Sequence, residues 1–228
     1  MSTALPDRPT IVYPDSDGQP MSDNTLQFRW IVTIQGGLDG VFRNDQNVFV
    51  AGDLLWYPVE GEPTIRAAPD VLVAFGRPKG YRGSYKQWEE EGIAPQVVFE
   101  VQSPGNRFDD MLRKFQFYER YGVEEYYLHD PERNVLSGWV RAGSRFREIP
   151  SINGWISPRL GVRFVLTEDD LHIYGPDGQK FATYLELVEQ RERERQEKER
   201  ERQEKEDAQR RAEKLAAQLR ALGVEPEA

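Results

Sequence analysis

The sequence predicts an α/β fold with a mixed central sheet flanked by helices, followed by a long C-terminal helix. Two observations lead to this prediction. Over the first 181 residues, patterns of helix, strands, helix and strand follow one another, which is typical of a sheet covered by helices. From Phe181 onward, the chain keeps one long helical pattern rich in Glu and Arg. We therefore expect a loose N-terminal segment at 1–21, a folded domain at 22–181 and a charged helical extension at 182–228.

The first helix is predicted to run from Ser22, as its N-cap, to about Phe42. A serine at this position can accept a hydrogen bond from one of the unpaired backbone N–H groups of the first turn. Apolar side chains then recur at helical spacing and would form one buried stripe. They are Leu26, Trp30, Ile34, Leu38 and Phe42.

Strands are predicted where short apolar runs follow this helix. Residues 76–95, between the last two runs, hold many glycines and charges, so we expect a loop without core structure there. The runs are 47–50, 54–57, 70–75 and 97–102.

The second helix is predicted to open at Asn106 or Asp109 and to stop at Gly122, because glycine adopts the left-handed conformation that ends many helices. Its apolar face would consist of Phe108, Met111, Leu112, Phe115 and Tyr118.

A strand at 125–129 would follow this helix and be closed by Asp130-Pro131. Three short strands are then expected to form a peripheral antiparallel part, and a fourth is expected before the turn at Asp177-Gly178. These four strands are 134–140, 146–149, 162–165 and 171–174.

Charge and composition exclude several classes of protein. Of 39 acidic and 30 basic side chains, 26 and 19 lie in residues 1–181, which leaves this part of the chain at net −7. Such an acidic domain is not a general polyanion binder, so contact with nucleic acid must use a local basic patch or metal ions. The chain has no Cys and two His, which excludes disulfides, thiolate zinc sites and His-based metal centres. No apolar run has the length of a membrane span and no signal peptide is evident, so the expected location is the cytoplasm.

Two acidic residues accompany strands that are otherwise apolar. Glu100 lies inside the run 97–102, and Asp70 opens the run 70–75. Burying a lone carboxylate costs on the order of several kcal/mol unless a cation or hydrogen bonds compensate it. Two neighbouring strands, each with one carboxylate at the same end, would form a site for a divalent cation such as Mg²⁺ or Mn²⁺.

A lysine is expected to complete this site. Side chains two residues apart on a strand share a face, so Gln102 would lie beside Glu100. Lys114, on the second helix, could reach the same carboxylates if the short turn after Gln102 folds that helix back over the strand end. The alternative is a surface Lys114 paired with Asp110.

Four motifs follow one another between Ala67 and Pro131, namely Ala68–Val73, Val98–Pro104, Lys114–Tyr118 and Tyr121–Pro131. In this order and spacing they resemble the Uma-two family of PD-(D/E)XK endonucleases, within the restriction-endonuclease-like superfamily. The similarity extends from about Ser22 to Tyr184, which is most of the predicted globular part.

The resemblance implies a restriction-endonuclease-like core and a Mg²⁺-dependent endonuclease that hydrolyses phosphodiester bonds in DNA. Asp70 and Glu100 would be the metal-binding carboxylates. Gln102 stands where the superfamily usually has a lysine, and Lys114 would supply that cation from the adjacent helix. The implied catalytic residues are therefore Asp70, Glu100, Gln102 and Lys114.

Other interpretations stay open. The chain could be a catalytically weak or inactive nuclease-fold module that recruits a partner through its C-terminal helix, or a purely structural subunit. Asp53 could be a third acid near the site, although an Asp at this position more often ends a strand. Basic and aromatic residues at 77–88 could contact nucleic acid, although Glu89–Glu91 weaken this patch. His129 is expected to be structural.

The C-terminal helix has two features of a coiled coil. The heptapeptide RERQEKE occurs twice in succession, and it predicts the ion pairs Glu194–Lys198 and Glu201–Lys205 along one helix. A homodimer through this helix is one possibility, and a solvated helix with weak self-association is the other. An apolar seam with the spacing of a coiled coil follows the repeats: Ala208, Ala212, Leu215, Leu219 and Leu222.

Overall fold

The computed structural model describes residues 11–16, 18, 21–105 and 107–221, except for the side chain of Leu219. The chain forms two compact units, Met1–Phe181 and Ala182–Ala228. In its described part, the first unit contains two helices and ten strands, and the second contains one long helix.

The elements follow one another along the chain. They are α1 (Thr25–Val41), β1 (Val48–Gly52), β2 (Trp56–Tyr57), β3 (Val71–Phe75), β4 (Tyr85–Lys86), β5 (Val97–Val101), α2 (Phe108–Tyr121), β6 (Glu125–Asp130), β7 (Val135–Ala142), β8 (Arg145–Glu148), β9 (Arg163–Leu166), β10 (Leu171–Tyr174) and α3 (Tyr184–Ala221).

Six strands form the central sheet, in the order β1-β3-β5-β6-β7-β8. All neighbouring strands are antiparallel except β5 and β6, which are parallel. Parallel strands need a long crossover, and α2 provides it here. The predicted mixed α/β sheet is therefore confirmed. The prediction of a peripheral antiparallel part is wrong for β7 and β8, because the short turn at 131–134 folds β7 directly onto β6.

The central sheet is buried on both of its faces. On one face, Val97, Phe99 and Val101 of β5 pack in a cluster with α1, β9 and β10. On the other face, Leu72 and Val98 pack in a cluster with Tyr118 of α2. Because β5 is covered on both sides, its five residues are all buried, including Glu100 within the otherwise apolar run.

Helix α1 begins two residues later than predicted. Asn24, and not Ser22, is the N-cap: its side-chain oxygen accepts a hydrogen bond from the backbone N–H of Gln27 at 2.8 Å. The predicted stripe is confirmed at its centre, where Trp30, Ile34 and Leu38 are buried.

Helix α2 ends at Gly122, whose φ of 101° confirms the predicted left-handed stop. Its start at Phe108 has no side-chain cap, and Asn106 lies outside the described residues. The predicted apolar face is wrong in its first half, since Phe108 and Leu112 are 79% and 43% exposed. The helix packs on the sheet through its second half, where Tyr118 is fully buried.

The segment 76–95 contains core structure that the sequence analysis did not predict. Strand β4 pairs in parallel with β2, and Tyr85 is fully buried, with its hydroxyl donating to the carbonyl of Ile93. The Glu90 carboxylate accepts hydrogen bonds from the guanidinium groups of Arg77 and Arg82, which neutralises these charges. These contacts favour ordinary loop packing over a free basic surface at Arg77 and Arg82.

Two residues of the N-terminal segment, Tyr13 and Pro14, pack against the folded domain. The ring of Tyr13 packs against Tyr57 and Trp88, with ring centroids 5.3 Å and 4.9 Å away. The Tyr57 hydroxyl also donates to the Pro14 carbonyl at 2.7 Å. Residues 1–10, 17, 19 and 20 lie outside the described residues.

Helix α3 begins at Tyr184 rather than at Phe181, because Thr183 and Glu186 form a reciprocal cap. The predicted pairs Glu194–Lys198 and Glu201–Lys205 are wrong: other residues of α3 form its ion pairs, such as Arg200 with Glu204 at 3.6 Å. Leu222 of the predicted seam lies outside the described residues. No helix in the described part of the chain is long and apolar enough to cross a membrane.

Candidate active site

Three acidic residues lie at one edge of the central sheet. Because β3 is antiparallel to β1 and β5, its first residue lies beside the last residues of both neighbours. Asp53 follows β1, Asp70 precedes β3, and Glu100 is the penultimate residue of β5. Asp70 and Glu100 each lie two residues from a side chain of the α2-facing cluster, so they project toward α2.

Glu100 is anchored by two residues of α2. Its side chain is buried, at 4% exposure, and each of its oxygens accepts one hydrogen bond. The Tyr118 hydroxyl donates to Oε1 at 2.5 Å, and the Lys114 ammonium donates to Oε2 at 2.6 Å. These two donors, one of them charged, offset the cost of burying the carboxylate.

Lys114 reaches the site as predicted, and the alternative pairing with Asp110 does not form. Asp110 pairs instead with Arg113, and the Lys114 ammonium also donates to the Ala68 carbonyl at 3.2 Å. Burial disfavours the charged form of Lys114, but the carboxylates of Glu100 and Asp70 outweigh it and raise the pKa of the ammonium. Lys114 therefore stays protonated at neutral pH.

Asp70 lies in surroundings that disfavour its charged form. It is 7% exposed, and its Oδ2 accepts a hydrogen bond from the backbone N–H of Val101 at 2.6 Å. Burial raises the pKa of Asp70 to about 8, and the negative charge of Glu100 adds to this effect, whereas Lys114 and the Val101 N–H oppose it. The two predicted acids thus lie close enough to repel each other.

Asp53 adds negative charge to this edge of the sheet. Its backbone N–H donates to the Asp70 carbonyl at 3.1 Å, and its φ of 47° is left-handed, a conformation that Asp tolerates better than most residues. Its carboxylate helps to raise the pKa values of Asp70 and Lys114. Even so, no three acidic or His side chains among the described residues are arranged as a complete set of metal ligands.

Gln102 extends the strand ladder but is not bonded to the other predicted site residues. Its backbone N–H donates to the His129 carbonyl at 2.7 Å, so it continues the pairing of β5 with β6. Within the described part of the chain, no hydrogen bond joins its side chain to Asp70, Glu100 or Lys114. The carbonyl of Val101, the residue between Glu100 and Gln102, accepts a hydrogen bond from Nε2 of Gln27 at 2.8 Å.

His129 belongs to the opposite face of the sheet. Its ring packs edge-on against Trp30 at 4.5 Å, and Nδ1 lies 3.2 Å from the Val135 carbonyl oxygen. Burial lowers the pKa of His129 to about 4, so the ring is neutral at physiological pH. This position agrees with the structural role expected from the sequence.

The sequence pattern predicts Tyr118 only as part of an apolar face, but its hydroxyl also has a polar role in the site. A signal was present, because Lys114 and Tyr118 are four residues apart and share one side of α2. If Lys114 reaches Glu100, Tyr118 is placed to do the same. Its burial, followed by the negative charge of Glu100, raises the pKa of Tyr118 well above its ordinary value, so it stays a donor.

The donor set suits a hard divalent cation. Mg²⁺ is usually bound by one or two carboxylates, with waters and substrate phosphates completing its coordination. Asp70 and Glu100 provide two carboxylates, and each oxygen of Glu100 keeps a second lone pair beyond the bond it accepts. A cation here would also offset the effects of burial and of the negative charge of Glu100, which together keep Asp70 protonated. The residues therefore fit Mg²⁺ or Mn²⁺.

Comparisons with known proteins give a family match. The Uma2 family, described as "Putative restriction endonuclease", matches residues 19–167, in agreement with the resemblance seen in the sequence. No curated protein matches the chain. Among solved structures, a crystal structure titled as a "putative nuclease belonging to DUF820 from Anabaena variabilis ATCC 29413" is 12% identical. It covers 59% of this chain and 72% of its own, with a TM-score of 0.44.

Proposed function

The chain belongs to the Uma2 family, and on this premise we propose that it is a Mg²⁺-dependent endonuclease that hydrolyses phosphodiester bonds in DNA. One observation carries the proposal: Asp70, Glu100 and Lys114, from two strands and a helix, meet at one edge of the sheet. Two buried acids and a lysine form the minimal set for metal-assisted hydrolysis of a phosphodiester.

Asp70 and Glu100 are the proposed metal ligands. A bound Mg²⁺ supplies Lewis-acid polarisation of a phosphoryl oxygen and a water of lowered pKa. Tyr118 holds Oε1 of Glu100, so that the carboxylate cannot rotate away from the sheet edge. The Val101 N–H fixes Asp70 in the same way. The chain thus pre-organises both ligands through bonds that do not involve the ion.

Lys114 is proposed as a donor and a positive charge, rather than as a general base. A base must lose its proton near neutral pH, whereas the carboxylates around Lys114 raise its pKa. Its ammonium can therefore orient the attacking water or stabilise the charge that develops on the phosphate. Gln102, two residues beyond Glu100, is the proposed second polar contact to that water.

The proposal also covers the substrate, the partner and the cellular location of the protein. DNA as the substrate is supported by the family description, which is that of a restriction endonuclease. The acidic balance of residues 1–181 opposes general binding of a polyanion, so the phosphates would have to be contacted through metal ions or a local basic patch. A second copy of the chain is the partner that we propose for α3. The cytoplasmic location stays a prediction of the sequence.

The direct test is cleavage of supercoiled plasmid DNA by the wild-type protein. We expect nicked and linear products with Mg²⁺ or Mn²⁺ and none with EDTA, because both acids lack their ion when it is chelated. Equal cleavage with EDTA would contradict a metal-dependent enzyme. DNA binding without cleavage in either metal would favour the alternative, an inactive nuclease-fold binding module.

Replacing Lys114 by Met is expected to lower the cleavage rate about 10–100-fold, since a charge-assisted donor beside the phosphate is lost. Adding Gln102→Lys to this variant should restore part of the rate, because residue 102 is placed on the same strand as Glu100. Arg113→Met is the matched control: it removes an exposed cation of α2 that pairs only with Asp110 in the described structure. Initial rates of plasmid cleavage are measured for all three variants. An unchanged rate in Lys114→Met would contradict the proposed role of Lys114.

A further inference from the structure

Helix α3 is exposed to solvent along most of its length. At 1.5 Å per residue, its 38 residues span about 57 Å. All residues from 187 to 215 are exposed. Its apolar side chains lie toward the two ends: Tyr184 and Leu187 are 76% and 47% exposed, and Leu215 is 58% exposed. Between these ends, residues 189–207 are all polar, and most of them are Glu, Arg or Lys.

Two rows of residues at seven-residue spacing form one seam along α3 and extend the apolar seam of its C-terminal end toward the N-terminus. The first row is Tyr184, Arg191, Lys198, Lys205 and Ala212. The second row, three residues further along, is Leu187, Glu194, Glu201, Ala208 and Leu215. The first row is therefore basic in its middle, and the second row is acidic there.

The charges of the seam are left unpaired within the helix. The described ion pairs of α3 join residues of its other sides, for example Arg193 with Glu189 and Arg202 with Glu206. Of the four central seam charges, none takes part in an ion pair or a side-chain hydrogen bond in the described structure. These four are Glu194, Lys198, Glu201 and Lys205. Such a pattern favours an external partner over intrahelical pairing.

The two rows discriminate between orientations of a second copy. In a parallel, in-register pair of helices, each row faces itself, so Lys198 and Lys205 would each meet their own copy, and so would Glu194 and Glu201. Like charges across a seam are unfavourable. In an antiparallel pair the first row faces the second, and each lysine meets a glutamate.

We propose that α3 is a self-complementary surface that pairs with a second copy of this chain as an antiparallel coiled coil. Its two-fold axis passes between Glu199 and Arg200. This register leaves no like-charge layer and places apolar residues opposite apolar residues at both ends. The facing pairs are Tyr184–Leu215, Leu187–Ala212, Arg191–Ala208, Glu194–Lys205 and Lys198–Glu201.

The experiment uses engineered disulfides in the full-length chain, which has no natural Cys. Arg191→Cys and Ala208→Cys chains, one of them tagged, are oxidised separately and as a mixture. The proposal expects at least about tenfold more mixed disulfide than like disulfide. Like residues lie about 25 Å apart along the antiparallel pair, whereas the Cβ atoms of a disulfide are about 4 Å apart.

Gln196→Cys and Gln203→Cys are the matched control, because they share one layer of the same register but lie on the outer side of the helix. Two results together support the proposal. The 191 and 208 variants should form mixed disulfide well above this control, and the wild type should sediment with the mass of a dimer. Like disulfides in excess would indicate a parallel pair and overturn it. Cross-linking no greater than the control would also overturn it.

Discussion

Asp70→Asn and Glu100→Gln are each expected to reduce metal-dependent DNA cleavage by about 10²-fold or more. Each variant keeps the size and most hydrogen-bonding capacity of the side chain but removes one of two negative charges at the proposed cation site. With only two protein carboxylates available, the loss of one leaves a single charged ligand, and the polarisation of the phosphate falls with it. Initial cleavage rates over a range of Mg²⁺ concentrations measure this effect.

Asp110→Asn is the matched control for these variants, because Asp110 is a half-exposed acid of α2 that pairs only with Arg113 in the described structure. Its cleavage rate should equal that of the wild type. Unfolding curves of all three variants must stay cooperative, so that a lost fold is not mistaken for a lost ligand. Cleavage by Asp70→Asn at the wild-type rate would remove Asp70 from the metal site.

The second large effect concerns stability, where Asp70→Asn is expected to stabilise the metal-free protein at alkaline pH. The pKa of Asp70 is near 3.8 in the unfolded chain and about 8 in the folded one. Between these values the folded state holds a proton that the unfolded state lacks, so stability falls as the pH rises toward 8. The neutral Asn does not titrate, and it does not repel Glu100.

We therefore expect the free energy of unfolding of the variant, relative to wild type, to increase by roughly 4 kcal/mol between pH 5 and pH 9, because each of the three pH units from 5 to the folded pKa near 8 contributes about 1.4 kcal/mol. Denaturant titrations in EDTA at both pH values measure it. Asp110→Asn should show a difference that changes little between the two conditions. A constant difference between Asp70→Asn and wild type would mean that Asp70 is not held protonated by the fold.

In the metal-free protein, the two acids that the proposed function needs lower the stability of the fold. Burial and the nearby Glu100 make the metal-free state costly, and a divalent cation would remove the repulsion between the acids. Activity and stability should therefore change in opposite directions in Asp70→Asn. A purely structural acid pair would instead lose stability when one member is replaced.

The sheet and the predicted site could be anticipated because both depend on local patterns. A run that is apolar except for Glu100 predicts a buried strand, and β5 is buried on both faces. A carboxylate buried within such a run needs a cation or hydrogen bonds to offset the cost of its burial, so Glu100 predicts partners nearby. Lys114 was identified as one partner from its place on α2, and the structure joins the two at 2.6 Å.

What could not be predicted depends on contacts between distant segments. The charges of Arg77 and Glu90 suggested an exposed loop, because their mutual pairing, which permits their burial, is invisible in a linear sequence. Tyr118 was treated as an apolar residue because aromatic rings satisfy a hydrophobic stripe, whichever group their hydroxyl meets. The ion pairs of α3 join different residues from those that the repeats predict. Glu and Arg alternate so closely along this helix that several pairings compete.

Calorimetric titration of the wild type and of Glu100→Gln with Mn²⁺ at pH 8 tests most directly whether these acids hold an ion. The wild type should bind Mn²⁺ at a site that is lost, or weakened at least about tenfold, in the variant. Binding of equal strength in both proteins, or no binding in the wild type even with DNA present, would contradict a metal site at the edge of β3 and β5.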